Sequence, residues 1–253
     1  MMKDTSARSA IRAFKVLELL DERREPLRLK DFVERLEAPT SSIAELLKIL
    51  TEAGYLTFDT KTRSYLPTSR VTAFGDWLAS ASPHHARILE AMQRMSDKCG
   101  ELIFLGAASG IHVHYTEMIP STLPIQMVVE RGAKRLLVRS GMGWALLSAH
   151  ADPVIEKIYS RTAQLREIRR KELPLQTVLE RVREVREKKI IYSRNTVYGG
   201  AGVIATLLPL VEQGRHLALG VAGPTSRLDE HEETFRKMLL AEAARLRRSA
   251  ARD

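Results

Sequence analysis

Three segments with helical apolar spacing, followed directly by two short strand-like runs, occupy the first 67 residues of the chain. In the first segment, residues 7–21, apolar side chains recur at three-residue steps until Glu25-Pro26 ends the pattern. The second segment spans 29–36, and a turn at 37–39 leads into the third. This order of elements is the layout of a winged helix-turn-helix, a mostly helical fold.

The third helical segment has its own start and stop signals. Ser42 and Glu45 match a capping box, and Gly54 stands where a C-terminal glycine cap belongs. The runs 55–58 and 64–67 flank a polar segment, which predicts a hairpin turn. A three-helix protein-interaction module is the alternative, since residues 1–80 hold 13 Lys/Arg and 12 Asp/Glu, a net charge of only +1.

Residues 38–56 read APTSSIAELLKILTEAGYL. This stretch resembles the recognition helix of the IclR family of bacterial transcription regulators in its Pro, its Ser pair, its Leu-Leu and its Gly-Tyr-Leu. Thr40 stands where that family usually has Lys, and Glu45 stands where it usually has Arg. Glu45 would repel phosphate and could accept a hydrogen bond from cytosine, or it is turned away as a capping group.

The resemblance implies DNA contacts from the start of the third helix and from the hairpin. A helix start offers amides and hydroxyls that hold phosphate. The residues assigned to DNA contact are Thr40, Ser41, Ser42, Ala44, Glu45, Lys48, Lys61 and Arg63. The expected partner is double-stranded DNA with a pseudo-palindromic operator, bound by a homodimer or a dimer of dimers.

A second domain is expected after a linker. Residues 68–82 predict a linker helix, on apolar residues at helical spacing: Val71, Phe74, Trp77 and Leu78. The resemblance implies that this helix helps to dimerise the N-terminal domain, and an ordinary capping helix is the alternative. The predicted domains are therefore 1–67 for DNA binding and 83–253 for effector binding.

Beyond residue 83 the pattern combines helices with strand pairs. Strands are predicted at 101–107, 111–117, 125–130, 203–211 and 217–222. Helices are predicted at 84–98, from 141 onward, at 174–188 and at 228–248. Antiparallel hairpins with helices packed outside predict an α+β domain of the general GAF or PAS kind.

Two stretches of this region also resemble the IclR family: RSGMGWALLSA at 139–149 and AGPTSRL at 222–228. The resemblance implies a domain that binds a small metabolite, often an organic or aromatic acid, and thereby controls operator affinity. By position it assigns these effector-binding residues: Arg139, Ser140, Gly141, Met142, Ser193, Ala201, Val203, Gly220 and Ala222. Hydroxyl groups common at the last two positions are absent, which predicts a roomier and less polar pocket. The alternative is that Gly141 and Gly143 only permit close packing and that Arg139 is exposed.

Charge adds an open question. The net charge of the 253 residues is +9, and residues 81–253 hold 27 Lys/Arg and 19 Asp/Glu, a net charge of +8. Much of the excess lies between Lys157 and Arg194, where acids are interleaved at helical spacing. Such interleaving is typical of solvated helix faces, and a polyanion-binding surface is the alternative.

Several other classes of function are disfavoured. No apolar run is long enough for a membrane helix and the N-terminus lacks a signal-peptide pattern, so we expect a cytoplasmic protein with no membrane partner. Cys99 is the single cysteine, which excludes an internal disulfide. His112 and His114 alternate on one strand, but no third ligand is evident, so no metal or cofactor is expected.

Motifs of hydrolases, zinc peptidases and phosphate loops are missing, so catalysis is not expected. The favoured function is a repressor or activator of transcription controlled by a small molecule. The alternative is a small-molecule sensor that acts through protein contacts and carries a degenerate DNA-binding domain.

Overall fold

The computed structural model describes residues 3–73, 83–129, 133–212 and 214–250. The chain divides into two compact units, Met1–Ala81 and Ser82–Asp253. Each unit has its own apolar core, as the two amphipathic sequence patterns require.

The N-terminal unit contains α1 (Lys3–Arg23), α2 (Leu29–Leu36) and α3 (Thr40–Glu52). Their apolar faces meet in one cluster in which Phe32 and Leu47 are fully buried. The bounds of α2 agree with the prediction. The predicted capping box at Ser42 and Glu45 is wrong, because α3 already begins at Thr40 with Pro39 as its N-cap, and no side chain caps it.

A three-stranded antiparallel sheet completes this unit. The predicted hairpin is formed by β2 (Leu56–Asp59) and β3 (Ser64–Pro67), and the unpredicted β1 (Leu27–Arg28) pairs with the other side of β3. Gly54 has φ of 77° and reverses the chain after α3, where the amide of Tyr55 donates to the carbonyl of Leu50. The predicted glycine cap is therefore confirmed.

The predicted linker helix lies mostly outside the described residues. Residues 69–73 are helical, and Phe74, Trp77 and Leu78 fall beyond them.

The C-terminal unit is an α+β domain, as predicted. Its elements are α4 (Pro83–Cys99), β4 (Leu102–Ser109), β5 (His112–Ile119), β6 (Lys134–Leu136), a 3-10 turn (Leu137–Arg139), α5 (Gly141–Leu147), α6 (Asp152–Gln164), α7 (Leu175–Lys188), β7 (Ile191–Arg194), β8 (Ala201–Glu212), β9 (Arg215–Pro224), α8 (Thr225–Glu230) and α9 (Glu232–Ala250).

The strands form one antiparallel sheet in the order β6-β5-β4-β9-β8-β7. Because successive strand residues point to opposite faces, the sheet contributes buried side chains to two apolar cores, one on each face. Ile103 and Leu105 pack against α4 and α9 on one face, whereas Phe104 packs against α5 on the other. A register shift between Leu105 and Gly106 curves the sheet at its centre.

Two predictions in this unit are wrong. Residues 125–129 form no strand, since Ile125 and Val128 are more than 70% exposed. The third strand of this edge is β6, whose Lys134 and Leu136 pair with β5. The predicted final helix is interrupted at His231, which separates α8 from α9.

Candidate functional site

The start of α3 and the outer side of this helix face solvent. Thr40, Ser41, Glu45 and Lys48 are exposed, and Ser42 and Ala44 are half-buried. Ile43 and Leu47 point into the core and fix the rotation of the helix. Glu45 makes no hydrogen bond or ion pair with any described residue, whereas Lys48 lies 3.7 Å from the carboxylate of Glu52.

The turn between β2 and β3 is fixed by the Asp59 carboxylate. This carboxylate accepts one hydrogen bond from the Thr62 hydroxyl at 2.8 Å and another from the Lys61 amide at 2.8 Å. These hydrogen bonds lower the pKa of Asp59. Arg63 adopts a left-handed φ of 53°. As a result, Lys61 and Arg63 project from an ordered hairpin tip, and both are exposed.

The C-terminal unit contains a cleft that opens beside the start of α5. It lies on the sheet face away from α4 and α9, between α5 and residues of β5, β7 and β8. Its lining residues are Tyr115, Met127, Arg135, Ser140, Gly141, Met142, Ser193, Thr196, Val197, Tyr198, Ala201 and Val203.

A smaller apolar chamber adjoins the cleft. The two share Tyr115, Met127 and Val203. Leu102, Phe104, Met118, Val129 and Ala222 complete the inner chamber. The combined space has an apolar interior and a more polar outer end, which suits a ligand with an apolar body and one polar group.

Most of the residues assigned by sequence meet at these two spaces. Six line the outer cleft: Ser140, Gly141, Met142, Ser193, Ala201 and Val203. Ala222 lines the inner chamber, while Gly220 lies behind Met142 and Phe104, which its Cβ would meet at 3.0 Å. Arg139 is exposed and lines neither space.

Arg135 is the cation that the structure brings to the cleft, and sequence reasoning missed it. One Nη donates to the Tyr198 hydroxyl at 3.1 Å and the other to the carbonyl of Lys134 at 2.9 Å. The guanidinium also lies 5.2 Å from the centre of the Tyr198 ring. It forms no ion pair with a carboxylate of the described residues, whereas Arg194 is bound by Asp229 and Glu232.

The hydroxyl groups of the cleft differ in availability. Ser140 caps α5, because its Oγ accepts the Gly143 amide at 3.1 Å and donates to the Leu136 carbonyl at 2.9 Å. Tyr115 packs edge-on against Phe104, and burial raises its pKa to about 12. Its hydroxyl therefore stays protonated at neutral pH, and it has no hydrogen-bond partner among the described residues.

Other chemistry-bearing side chains do not assemble into a site. Within the described parts of the chain, no three His, Cys, Asp or Glu side chains are placed to hold a metal ion. Burial raises the pKa of the Cys99 thiol. Among the described helices, none is long and apolar enough to cross a membrane.

Comparison with known proteins identifies the family. Residues 84–248 match the family model of the bacterial transcriptional regulator IclR C-terminal domain, and residues 9–60 match that of the IclR helix-turn-helix domain. The chain belongs to the IclR family of transcriptional regulators, with a helix-turn-helix DNA-binding domain and a C-terminal effector domain. The family resemblance read from the sequence is confirmed.

Individual relatives agree with this assignment. The chain is 30% identical over 148 residues to the "Probable transcriptional regulator SauR" of Cupriavidus necator, a match that covers 58% of this chain and 58% of that protein. The effector domain of an IclR regulator from Acinetobacter sp. ADP1 is 26% identical, with a TM-score of 0.59 over 66% of this chain and 97% of that one.

Two longer structures share the fold. A regulator from Rhodococcus sp. RHA1 is 18% identical, with a TM-score of 0.70 over 96% of this chain and 98% of that one. An IclR regulator from Alicyclobacillus acidocaldarius is 20% identical, with a TM-score of 0.67 over 94% of this chain and 97% of that one.

Proposed function

We propose that this regulator binds operator DNA through α3 and the β2–β3 hairpin, and that a small organic or aromatic acid in the C-terminal cleft controls that binding. The observation that carries the proposal is Arg135, a cation without a carboxylate partner among the described residues, at the mouth of an otherwise mainly apolar cleft. We also propose the bounds 1–67 for the DNA-binding domain and 83–253 for the effector-binding domain, with 68–82 as the linker between them.

The chemistry of the cleft favours a monoanion. A carboxylate beside Arg135 would form charge-assisted hydrogen bonds, and the Tyr115 hydroxyl adds a neutral donor. The inner chamber, with Leu102, Phe104 and Met118, suits the apolar body of the acid. A dianion would leave its second charge against apolar walls, which is costly.

The N-terminal unit leaves part of α1 uncovered. Ile11 is 59% exposed and Phe14 is 67% exposed, three residues apart on one face of the helix. We assign this face to a second copy of the chain in a homodimer or a dimer of dimers. In a two-fold dimer the two α3 helices would read the halves of a pseudo-palindromic operator.

DNA binding is tested by a gel shift of the purified protein on the DNA around its own gene, against random duplex of equal length. We expect a preference for the former that changes when the effector is added. An equal affinity for both duplexes, with and without effector, would contradict DNA-based regulation.

The ligand is tested by a thermal-shift screen of organic and aromatic acids. A ligand that binds only the folded state raises stability, by about 2.7 kcal/mol at one hundred times its Kd. Aromatic monocarboxylates should raise the melting temperature, and their methyl esters should not. Equal effects of acid and ester would remove Arg135 from the proposed role.

The second candidate is a sensor that acts through protein contacts. It is favoured by the exposed carboxylate of Glu45 in the middle of α3, which repels phosphate. Under this alternative, replacing Ser41, Ser42 and Glu45 leaves regulation unchanged. A DNA reader would lose or change its operator preference.

A further inference from the structure

Part of the basic excess of the C-terminal unit lies along α6 and the loop that joins it to α7, and another part lies at 236–252. Residues 156–172 contain six basic residues and three acidic residues. We call the six the basic loop surface: Lys157, Arg161, Arg166, Arg169, Arg170 and Lys171. All six are exposed.

The polypeptide beneath the basic loop surface is well anchored. Tyr159, Thr162 and Ile168 are buried, and the Tyr159 hydroxyl donates to the carbonyl of Leu173 at 2.7 Å. Arg166 turns the chain with a left-handed φ of 61°. The charges are therefore held on a fixed scaffold, and lining up with a partner costs little backbone entropy.

Most of these charges lack an acidic partner. Arg169 pairs with Glu172 at 3.1 Å, and Arg170 stacks 5.7 Å from the Tyr159 ring. The side chains of Lys157, Arg161, Arg166 and Lys171 form no ion pair or hydrogen bond with other described residues. By contrast, Arg181 and Lys188 of α7 both pair with Glu184, and Arg186 pairs with Asp152.

We propose that the basic loop surface is a second DNA-binding surface, which contacts the phosphate backbone of double-stranded DNA without reading its sequence. Arginine-rich surfaces suit phosphate, because each guanidinium presents several donors in a plane. Leu165 is the large apolar residue that is exposed there, and protein interfaces usually need more apolar or aromatic anchors at their centre.

The charge distribution of the whole chain supports the same partner. Residues 1–80 contribute a net charge of only +1, so the helix-turn-helix domain offers little of the charge that normally supplies affinity for DNA. The basic loop surface supplies that missing charge. This inference rests on the proposed DNA binding.

The test is a titration of the full-length protein with two duplexes, its own promoter and a random sequence, at several KCl concentrations. The variant is R161Q/R166Q/K171Q. The control, R245Q/R247Q/R248Q, removes three exposed charges from the end of α9, on the opposite face of the sheet. Thermal unfolding of both variants should match that of the wild type, since the side chains are exposed.

We expect the salt slope of log K to flatten by about 2 to 3 for the loop variant, at about 0.9 per phosphate contact. Both duplexes should be affected equally, because phosphate contacts carry no sequence information. The control should keep the slope of the wild type. A wild-type slope in the loop variant, or equal flattening in the control, overturns the proposal.

Two further outcomes are distinct. If the wild type shows no preference for its promoter, the proposed function fails. The salt slopes of the wild type and the loop variant on random duplex still test whether the basic loop surface contacts phosphate. If the loop variant keeps its slope on DNA but loses regulation in cells, the surface serves a protein partner and the DNA assignment is wrong.

Discussion

The guanidinium of Arg227 donates two hydrogen bonds to the buried carboxylate of Glu101, from Nε to Oε1 at 2.6 Å and from Nη2 to Oε2 at 3.0 Å. The same Nη2 donates to the carbonyl of Ile125 at 2.7 Å. Glu101 is 1% exposed, and Gly223 makes room for it, since a Cβ there would lie 2.6 Å from Oε2. This pair therefore ties the starts of β4 and α8 to the segment that carries Met127 to the cleft.

Replacing Arg227 with Met should lower the free energy of unfolding by about 3 kcal/mol, because the Glu101 carboxylate is left buried and uncompensated. The double variant E101Q/R227M should recover part of that loss, since its buried group is neutral. Denaturant unfolding of the wild type, R227M, E101Q and the double variant measures both effects. An additive loss in the double variant would show that the ion pair is not the cause.

Gly143 should not tolerate a side chain. A Cβ there would collide with the carbonyl of Leu137 and lie 2.5 Å from its Cα, so the backbone itself must move. We expect Gly143→Ala to lower the free energy of unfolding by about 3 kcal/mol or more. The control is Gly199→Ala, whose Cβ would meet nothing within 4 Å and should cost little.

Two arginines compete for the role of effector anchor. Arg135 lines the cleft, whereas Arg139 is exposed outside it. We expect Arg135→Met to abolish the stabilisation by aromatic acids and Arg139→Met to preserve it, with little change in the unliganded melting temperature of either. Loss of the ligand response only in the Arg139 variant would reverse the assignment.

Glu45 should act on DNA binding without acting on stability. Its side chain is exposed and without a partner among the described residues, so Glu45→Arg should change the free energy of unfolding by less than about 0.5 kcal/mol. If α3 lies against DNA, the new cation should steepen the salt slope of binding by about 0.9. An unchanged slope would favour the protein-contact alternative.

Two histidines should make the protein less stable in mild acid. Burial lowers the pKa of His114, and the charges of Lys134, His112 and Arg215 lower it further. Burial also lowers the pKa of His150, and the charge of His216 adds to this effect. The stability that these neutral side chains contribute is complete above the ordinary histidine pKa of about 6.5 and is lost as the pH falls through their lower folded values.

Denaturant unfolding between pH 8 and 5 measures this effect. The wild type should lose stability below about pH 6.5, and H114Q/H150Q should give a flatter profile. Each single variant should account for part of the difference. An equally steep profile in the double variant would assign the acid sensitivity to other groups.

The sequence was sufficient for the fold class because helix periodicity and the Gly54 cap depend on local residues. It was insufficient where tertiary contacts decide. The run at 125–130 is rich in Ile, Met and Val, as strands are, yet residues 125–129 form a loop whose Ile125 carbonyl accepts a hydrogen bond from Arg227. Positional resemblance predicted the cleft-lining residues Ser193 and Val203 but missed Arg135 and Tyr198, which also line the cleft. These two meet only because β6 and the loop after β7 come together in the fold.

The few hydrogen bonds of segment 121–129 affect where the domain opens locally. The segment belongs to no strand, and it is held through the Thr122 amide, the Ser121 hydroxyl and the Ile125 carbonyl. Backbone amides with few partners open at low free energy, so this wall of the cleft should exchange hydrogen with solvent before the sheet does. A bound acid that touches Met127 would slow that exchange, and so turn the loop into a local reporter of occupancy.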